Sequence, residues 1–250
     1  MGRRVLVTGL DTFWGSKVAA ALEKHAEVEM ILGMGTGKPS IELERTEFVR
    51  ADQSYSLLER IVRATEVDTI VHTFLVVDST TMSGRALHEV NVIGTMNLLA
   101  AAGQSGSPVR QVVVKSSTLV YGSASTDPAW FREEVPRTSP ARSRVERSLL
   151  EVEGFVRDFA EDNPATVVSV LRFANVLGTD IVTPISSNLS KPLCPSVSGF
   201  DPLLQFVEED DVVRCMEHVT RNRIPGLYNV AGTGKLPWSE VAEICGTRLL

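Results

Sequence analysis

A glycine-containing turn near the N-terminus has the residue types and the position of a phosphate-binding loop. It reads Thr8-Gly9-Leu10-Asp11-Thr12-Phe13-Trp14-Gly15, between a strand pattern over 4–8 and a helical pattern over 14–24. Glycine lets the backbone approach a pyrophosphate, and the N–H groups and dipole of the following helix stabilise its charge. The turn therefore predicts a dinucleotide site, and an ordinary strand-to-helix turn that uses Gly9 is the alternative.

A second glycine-rich segment, residues 33–38, does not have the spacing of a phosphate loop. Pro39 stands where Ser or Thr would bind magnesium. We expect residues 33–38 to form a flexible loop.

The composition limits the class of protein that carries this turn. The chain has 250 residues, a net charge of −6 and 43% apolar residues. This apolar content argues against disorder, and the acidic balance without a basic run argues against nucleic-acid and membrane partners. The cysteines, Cys194, Cys215 and Cys245, form no C-x-x-C pair, so we expect reduced thiols, no metal site and a cytoplasmic location. The sequence leaves open whether the chain forms a homodimer.

Short β-branched runs alternate with helical patterns, which predicts the scaffold that must position the turn. Continuously apolar strands separated by helices indicate a parallel sheet that is covered on both faces. We therefore predict a doubly wound α/β fold. The predicted strands are residues 4–8, 28–32, 47–49, 69–73, 111–115 and 166–172, and the predicted helices are residues 14–24, 54–64, 84–102 and 143–160.

The alternation breaks after Arg172, because residues 176–205 contain four prolines with several Ser and Gly residues. We predict a dinucleotide-binding domain over residues 1–175 and a small substrate-facing lobe over residues 176–250, from which residues 226–231 return to the sheet. Ligands bind at the carboxyl ends of the strands in such sheets, so the chemistry is expected there.

Several separated segments together resemble the extended short-chain dehydrogenase/reductases of the NAD-dependent epimerase/dehydratase family. The turn resembles T-G-x-x-G-x-x-G, with Thr12 at the middle glycine. Residues 91–100 resemble N-V-x-G-T-x-N-L-L-x-A, residues 115–122 resemble S-S-x-x-V-Y-G, residues 171–178 resemble L-R-x-x-N-V-x-G, and residues 206–212 and 228–230 complete the order. Members of this family run longer, so we expect part of the substrate lobe to lie beyond Leu250.

The resemblance implies a Rossmann fold that binds NAD or NADP along the strand ends, with a nucleotide sugar as the small-molecule substrate. In the family, a Ser or Thr at the position of Ser117 hydrogen-bonds the reacting oxygen, so Ser117 is the candidate catalytic residue. Asn175 ends a strand and both donates and accepts hydrogen bonds, which makes it the candidate substrate-binding residue; an Asn that only organises its own turn is the alternative. The candidate cofactor-binding residues are Gly9, Thr12, Phe13, Trp14, Gly15, Asp52 and Asn91.

The chain departs from the family where a Tyr transfers the proton and a Lys four residues later lowers the pKa of that Tyr. Val145 and Leu149 occupy these two positions, and neither aliphatic side chain exchanges a proton. No Tyr occurs between Tyr121 and Tyr228, so the usual relay is absent. Lys115 faces the same side of its strand as Ser117, but an isolated lysine is mostly exposed, and we interpret it as a solvated side chain.

A second departure concerns the adenosine ribose, whose hydroxyls normally bind a carboxylate about twenty residues beyond the glycine turn. The strand over 28–32 is followed by Gly33-Met34-Gly35, with no acid before Glu42 and no base before Lys38. The choice between NAD and NADP therefore stays open. Asp52 follows the third strand, where the family places an acid beside the adenine; a carboxylate at the start of a helix is the alternative.

Two functions remain. The first is an NAD(P)-binding, epimerase/dehydratase-like oxidoreductase that acts on a nucleotide sugar with a degenerate Tyr/Lys relay. The second is a non-catalytic dinucleotide-binding protein with a regulatory or interaction role. The fold does not decide between them, because function resides in the site.

Overall fold

Seven parallel strands form the central sheet of the computed structural model, which describes residues 2–77, 82–124, 127–128 and 130–250. In chain order the strands are β1 (Arg3–Thr8), β2 (Val28–Gly35), β3 (Thr46–Arg50), β4 (Thr69–His72), β5 (Gln111–Ser117), β6 (Val167–Phe173), β7 (Asn175–Leu177), β8 (Leu193–Cys194), β9 (Leu203–Leu204), β10 (Phe206–Glu208), β11 (Gly226–Val230), β12 (Leu236–Pro237) and β13 (Arg248–Leu249). The order in the central sheet is β11-β6-β5-β4-β1-β2-β3, so the strand order reverses between β1 and β4: β2 and β3 lie on one side of β1, and the later strands lie on the other. The predicted doubly wound α/β fold is confirmed.

Helices cover both faces of this sheet. They are α1 (Phe13–Glu23), α2 (Tyr55–Ala64), α3 (Gly84–His88), α4 (Gly94–Ala102), α5 (Arg144–Asp162), α6 (Pro184–Leu189), α7 (Glu209–Asn222) and α8 (Trp238–Ile244), with a π-helical turn over residues 89–93 and a 3₁₀ turn over residues 118–121. The side chains of Thr12 and Ser143 cap α1 and α5 by accepting hydrogen bonds from first-turn amides. Within the described ranges, we find no helix with the length and apolar character needed to cross a membrane.

Consecutive strand residues point to opposite faces of the sheet, which produces two apolar layers. On β5, Val112 and Val114 pack into the layer under α2, α4 and α5, whereas Val113 packs into the layer under α1 and α7. All three side chains are fully buried. The continuous apolar run of this strand therefore follows from its position inside the sheet.

The C-terminal third contributes to the central sheet and to smaller sheets. Helix α7 lies beside α1, and Gln111 on β5 donates a hydrogen bond of 3.0 Å to the carbonyl of Val219 in this helix. β11 is the edge strand next to β6. The remaining short strands form three two-stranded pairs, β7 with β10, β9 with β12 and β8 with β13. One strand of each pair, β7, β8 or β9, lies in or at the start of residues 176–205, where the sequence loses its regular alternation, and its partner comes later in the chain.

The prediction of a flexible loop over 33–38 is wrong for its first three residues, which extend β2 to Gly35. Gly33 pairs with Val7, and Met34 pairs with Thr8. A Cβ on Gly33 would overlap the side chain of Leu10, which packs over the strand at this point. Packing of Leu10 therefore outweighs the low strand propensity of glycine.

His72, at the end of β4, lies in a buried chain of hydrogen bonds. Its Nδ1 lies 3.0 Å from the hydroxyl of Thr8, and its Nε2 lies 2.9 Å from the hydroxyl of Thr95. Because Thr95 donates to the carbonyl of Asn91, it accepts from Nε2–H, and Nδ1 accepts from Thr8. Burial lowers the pKa of His72 to about 3, so the ring is neutral in the folded protein.

We expect acid to destabilise the protein through His72. Its pKa is lower in the folded chain than the ordinary 6.5, so the stability linked to His72 is complete above pH 6.5 and decreases as the pH falls towards 3. The free energy of unfolding should fall by about 2 kcal/mol more between pH 7.5 and pH 5 than in H72Q, a variant that does not titrate. Urea unfolding at the two pH values measures this difference, and equal decreases in both proteins would contradict the assignment.

Candidate functional site

The glycine turn between β1 and α1 is held too closely for larger side chains at two positions. Gly9 has a φ of +71°, and a Cβ on it would lie 2.5 Å from the Cβ of Phe74. A Cβ on Gly15 would overlap the carbonyl oxygen of Gly9. Both positions therefore require glycine, and they bring the turn close to the segment that follows β4.

Thr12 is accommodated at the middle position because its backbone is extended, with φ −89° and ψ 159°. Its hydroxyl donates to the carbonyl of Gly9 at 2.7 Å and accepts from the amide of Gly15 at 3.1 Å. The amides of Phe13 and Trp14 form no hydrogen bond with the described residues, as expected for the first turn of a helix. The turn thus leaves two backbone donors free for an anionic group such as a pyrophosphate.

A cavity of about 580 Å³ extends from this turn across the carboxyl ends of β5 and β6. It is lined mainly by five short segments, residues 12–14, 73–77, 115–119, 173–176 and 181–185. This position agrees with the rule that ligands bind at the carboxyl ends of parallel strands near the reversal of strand order. The candidates Thr12, Phe13, Trp14, Ser117 and Asn175 all line this one cavity.

Ser117 ends β5 and begins the 3₁₀ turn. Its Oγ accepts a hydrogen bond from the amide of Leu119 at 3.2 Å, so its O–H remains free to donate. The side chain is partly buried at the wall of the cavity. A hydroxyl in this position is able to polarise a ligand oxygen.

Asn175 begins β7 and lines the same cavity. Its amide Nδ2 donates to the carbonyl of Gln205 at 3.1 Å, and this bond ties β7 to the residue that precedes β10. The side-chain carbonyl is still free to accept a hydrogen bond. The geometry accommodates both interpretations of Asn175, and its substrate contact stays a prediction.

Val145 and Leu149 both belong to the apolar layer between α5 and the sheet. Leu149 is fully buried and Val145 is 7% exposed. Neither residue belongs to the described lining of the cavity. In this chain the two aligned positions therefore contribute to packing, and proton transfer requires another group.

Lys115 is 4% exposed, so its interpretation as a solvated lysine is wrong. Its Nζ lies 5.0 Å from the ring centre of Trp14 and 6.0 Å from that of Phe173. Burial lowers the pKa of the amine to about 8. Lys115 lines the cavity together with Ser117, which makes it a titratable group at the site with a pKa close to neutral.

Asp52 and Asn91 make local contacts in the structure. Asp52 is exposed and accepts a hydrogen bond from the amide of Ser54 at 3.0 Å, and its hydrogen bonds with Ser54 lower its pKa. Asn91 is fully buried; its amide bonds to both backbone groups of Val76 and to the hydroxyl of Ser148. Asn91 therefore fixes a segment that lines the cavity, and direct cofactor contacts of both residues stay predictions.

The sequence analysis missed the role of Asp11 inside the glycine turn. One carboxylate oxygen, Oδ2, accepts hydrogen bonds from the amides of Thr36 and Gly37 at 3.0 and 2.8 Å and from the hydroxyl of Thr36 at 2.9 Å. The other, Oδ1, lies 2.5 Å from the point that a Cβ on Gly35 would occupy. Two features of the sequence could have pointed to this carboxylate: the glycine turn contains an acid, and the end of β2 contains none.

A largely buried ion pair, on the face of the sheet opposite to Lys115 and Ser117, also escaped the sequence analysis. Glu153 on α5 accepts hydrogen bonds from Ser116 at 2.6 Å and from Arg172 at 2.5 to 3.1 Å. Arg172 also donates to the hydroxyl of Tyr121 at 2.7 Å, and that hydroxyl donates to Asn229 at 2.8 Å. Burial alone would lower the pKa of Arg172, but the hydrogen bonds and charge of Glu153 outweigh it and raise the pKa. This network joins the ends of β5, β6 and β11.

The family is decided by sequence comparison. The sequence model of the NAD dependent epimerase/dehydratase family matches residues 5–231. The chain belongs to this family. The match includes the glycine turn, both strand ends that carry Ser117 and Asn175, and strand β11, so the resemblance inferred from the separated motifs is confirmed.

Relatives of this family member include an uncharacterised protein of Mycobacterium bovis, 34% identical over 247 residues, which are 97% of this chain. The chain spans 65% of the length of that relative. The UDP-glucose 4-epimerase of Erwinia amylovora is 28% identical over 188 residues, which are 70% of this chain and 53% of that protein. The structure of MoeE5 in complex with UDP-glucose and NAD shares the fold, with a TM-score of 0.77 and 24% identity over 97% of this chain and 80% of that chain.

Proposed function

We propose that this chain binds NAD and a UDP-sugar and oxidises a secondary alcohol of the sugar. The observation that carries this proposal is that one cavity has the glycine turn at one end and the free hydroxyl of Ser117 in its wall. The name of the Erwinia amylovora relative and the ligands of MoeE5 support the choice of a UDP-sugar. The uridine and sugar specificity of this chain are part of the proposal.

The residues of the turn fit a dinucleotide. Gly9 and Gly15 keep the backbone free of side chains, and the amides of Phe13 and Trp14 are available to a pyrophosphate. Asn91 fixes the 74–77 segment that would lie along the cofactor. Bound NAD would supply hydride transfer to and from the alcohol carbon of the sugar.

Lys115 is the proposed acceptor of the alcohol proton. Because its pKa is about 8, about a tenth of the amine is neutral at pH 7 and able to accept a proton, and this fraction grows as the pH rises. Ser117 would hold the same oxygen by donating its free O–H. When the carbonyl is reduced again, the protonated amine returns the proton, so Lys115 ends the cycle in its starting state.

The proposal is tested by titration calorimetry with NAD and UDP-glucose and by a turnover assay. We expect NAD to bind, and we expect S117A to reduce turnover about 10²- to 10³-fold, the usual effect of removing one donor to a reacting oxygen, with NAD affinity unchanged. The matched control is S190A, which removes an exposed hydroxyl away from the cavity. Absence of NAD binding at millimolar concentration would overturn the proposal.

A non-catalytic dinucleotide-binding protein is the second candidate, and the burial of Val145 and Leu149 favours it. The two candidates differ in one result. If NAD and UDP-glucose bind but no turnover is detected, and S117A leaves both affinities unchanged, the second function is supported and the first is not.

A further inference from the structure

The carboxylate of Asp11 occupies the space beyond Gly35, at the end of β2. We propose that Asp11 binds the adenosine ribose hydroxyls in place of an acid on β2, and that it selects NAD over NADP. This inference rests on the proposed NAD binding and adds the residue that determines cofactor specificity. Asp11 reaches this place from the glycine turn, 24 positions earlier in the chain than Gly35.

The first argument is spatial. A Cβ on Gly35 would lie 2.5 Å from Oδ1 and 2.8 Å from Cγ of Asp11, so the loop carboxylate fills the volume into which a side chain at position 35 would extend. Dinucleotide-binding folds generally place a carboxylate at the end of the second strand, where it accepts hydrogen bonds from the ribose. Here a different segment of the chain delivers the same chemical group to this strand end.

The second argument is that the carboxylate is fixed in place and one of its oxygens is free. Oδ2 accepts all three hydrogen bonds from Thr36 and Gly37. Oδ1 has no hydrogen-bond partner among the described residues and is able to accept a hydroxyl. The amide groups of Thr36 and Gly37 hold the acid in a single orientation, so little side-chain entropy is lost when a ribose binds.

The third argument concerns charge. None of the ion pairs within the described ranges includes Asp11, although Lys38 and Arg50 are nearby in the chain or in the sheet. A ribose 2′-phosphate would meet an uncompensated carboxylate, and the amides of Thr36 and Gly37 that could have bound it are already used by Oδ2. Like-charge contact disfavours the phosphate, whereas the hydroxyls of NAD complement the carboxylate.

The experiment measures the affinities of the full chain for NAD and NADP by titration calorimetry. We expect the wild type to bind NAD more tightly than NADP, and D11A to lose about ten- to a hundredfold in NAD affinity, the effect of one charge-assisted hydrogen bond. The double variant D11G/G35D moves the acid to the strand and should recover most of the NAD affinity. E42A, which removes an exposed acid further along the same connection, is the matched control and should bind like the wild type.

The outcomes separate this inference from the proposed function. If the wild type binds NAD but D11A binds it equally well, or if the wild type binds NADP as tightly as NAD, the role of Asp11 is wrong while NAD binding stands. If the wild type binds neither dinucleotide, the proposed function fails and the role of Asp11 fails with it. Recovery in D11G/G35D distinguishes a lost ribose contact from a disturbed loop, because the double variant also lacks the hydrogen bonds of Asp11 to Thr36 and Gly37.

Discussion

Replacing Lys115 with methionine is expected to raise the free energy of unfolding at pH 7 by about 3 kcal/mol. Burial lowers the pKa of Lys115 from 10.5 to about 8, so holding the amine charged in the folded protein costs stability. This cost is complete below pH 8 and disappears as the pH rises to 10.5. Methionine has a similar length and packs against Trp14 and Phe173 without a charge.

Urea unfolding of the wild type and K115M at pH 7 and pH 10 tests this expectation. The difference between them should shrink to about 1 kcal/mol at pH 10, because the amine in the folded protein is then neutral and pH 10 lies close to the ordinary lysine pKa of 10.5. K38M, which removes an exposed amine, is the control and should change stability little at either pH. A K115M protein no more stable than the wild type would mean that the amine is solvated in solution.

If Lys115 also transfers the alcohol proton, K115M should lose about 10²- to 10⁴-fold in turnover while it gains stability. Turnover of the wild type should rise with pH around 8, as the amine loses its proton. Opposite changes in activity and stability are typical of a buried functional group and are not expected of a residue that only fills space.

Replacing Arg172 with methionine is expected to lower the free energy of unfolding by about 3 to 5 kcal/mol. The side chains of Arg172 and Glu153 are 13% and 11% exposed, and loss of the arginine leaves a buried carboxylate without its cation. The double variant R172M/E153M should recover much of this loss, because it leaves neither charge unpaired. Comparison of the single and double variants measures the coupling free energy between Arg172 on β6 and Glu153 on α5.

Chemical unfolding of the wild type, both single variants and the double variant gives this coupling as a double-mutant cycle. R214M breaks the exposed ion pair of Arg214 with Asp211 and should change stability little, because solvent screens this pair. A loss in R172M as small as that in R214M would show that solvent reaches Glu153 and that the pair contributes little.

The strands and most helices could be predicted from the sequence because their signals are local. Val112, Val113 and Val114 form a continuous apolar run, which is typical of a parallel strand with both faces covered. The position of the glycine turn followed in the same way from the strand before it and the helical pattern after it. Residues 33–35 were misassigned because their strand geometry depends on Leu10, which lies far away in the sequence.

The candidate site could be predicted in its motifs but not in its contacts. Ser117 was identified from the resemblance to the family, and Asn175 from its place after a predicted strand and its ability to donate and accept hydrogen bonds. The structure places both at one cavity. The burial of Lys115 depends on Trp14 and Phe173, and the orientation of Asp11 depends on amides 25 and 26 residues later. The periodic patterns of strands and helices indicate only local structure, whereas these contacts join residues that are far apart in the sequence. They could therefore be found only in the three-dimensional structure.

The order of the strands has a consequence for how the chain folds during synthesis. After the reversal between β1 and β4, each later strand of the central sheet is added at the same growing edge, β5 beside β4, then β6, then β11. None of them has to insert between strands that are already paired. The sheet therefore extends outward at this edge in the order in which the ribosome releases its strands, so the growing edge exposes only the most recently added strand, while β3 forms the opposite edge.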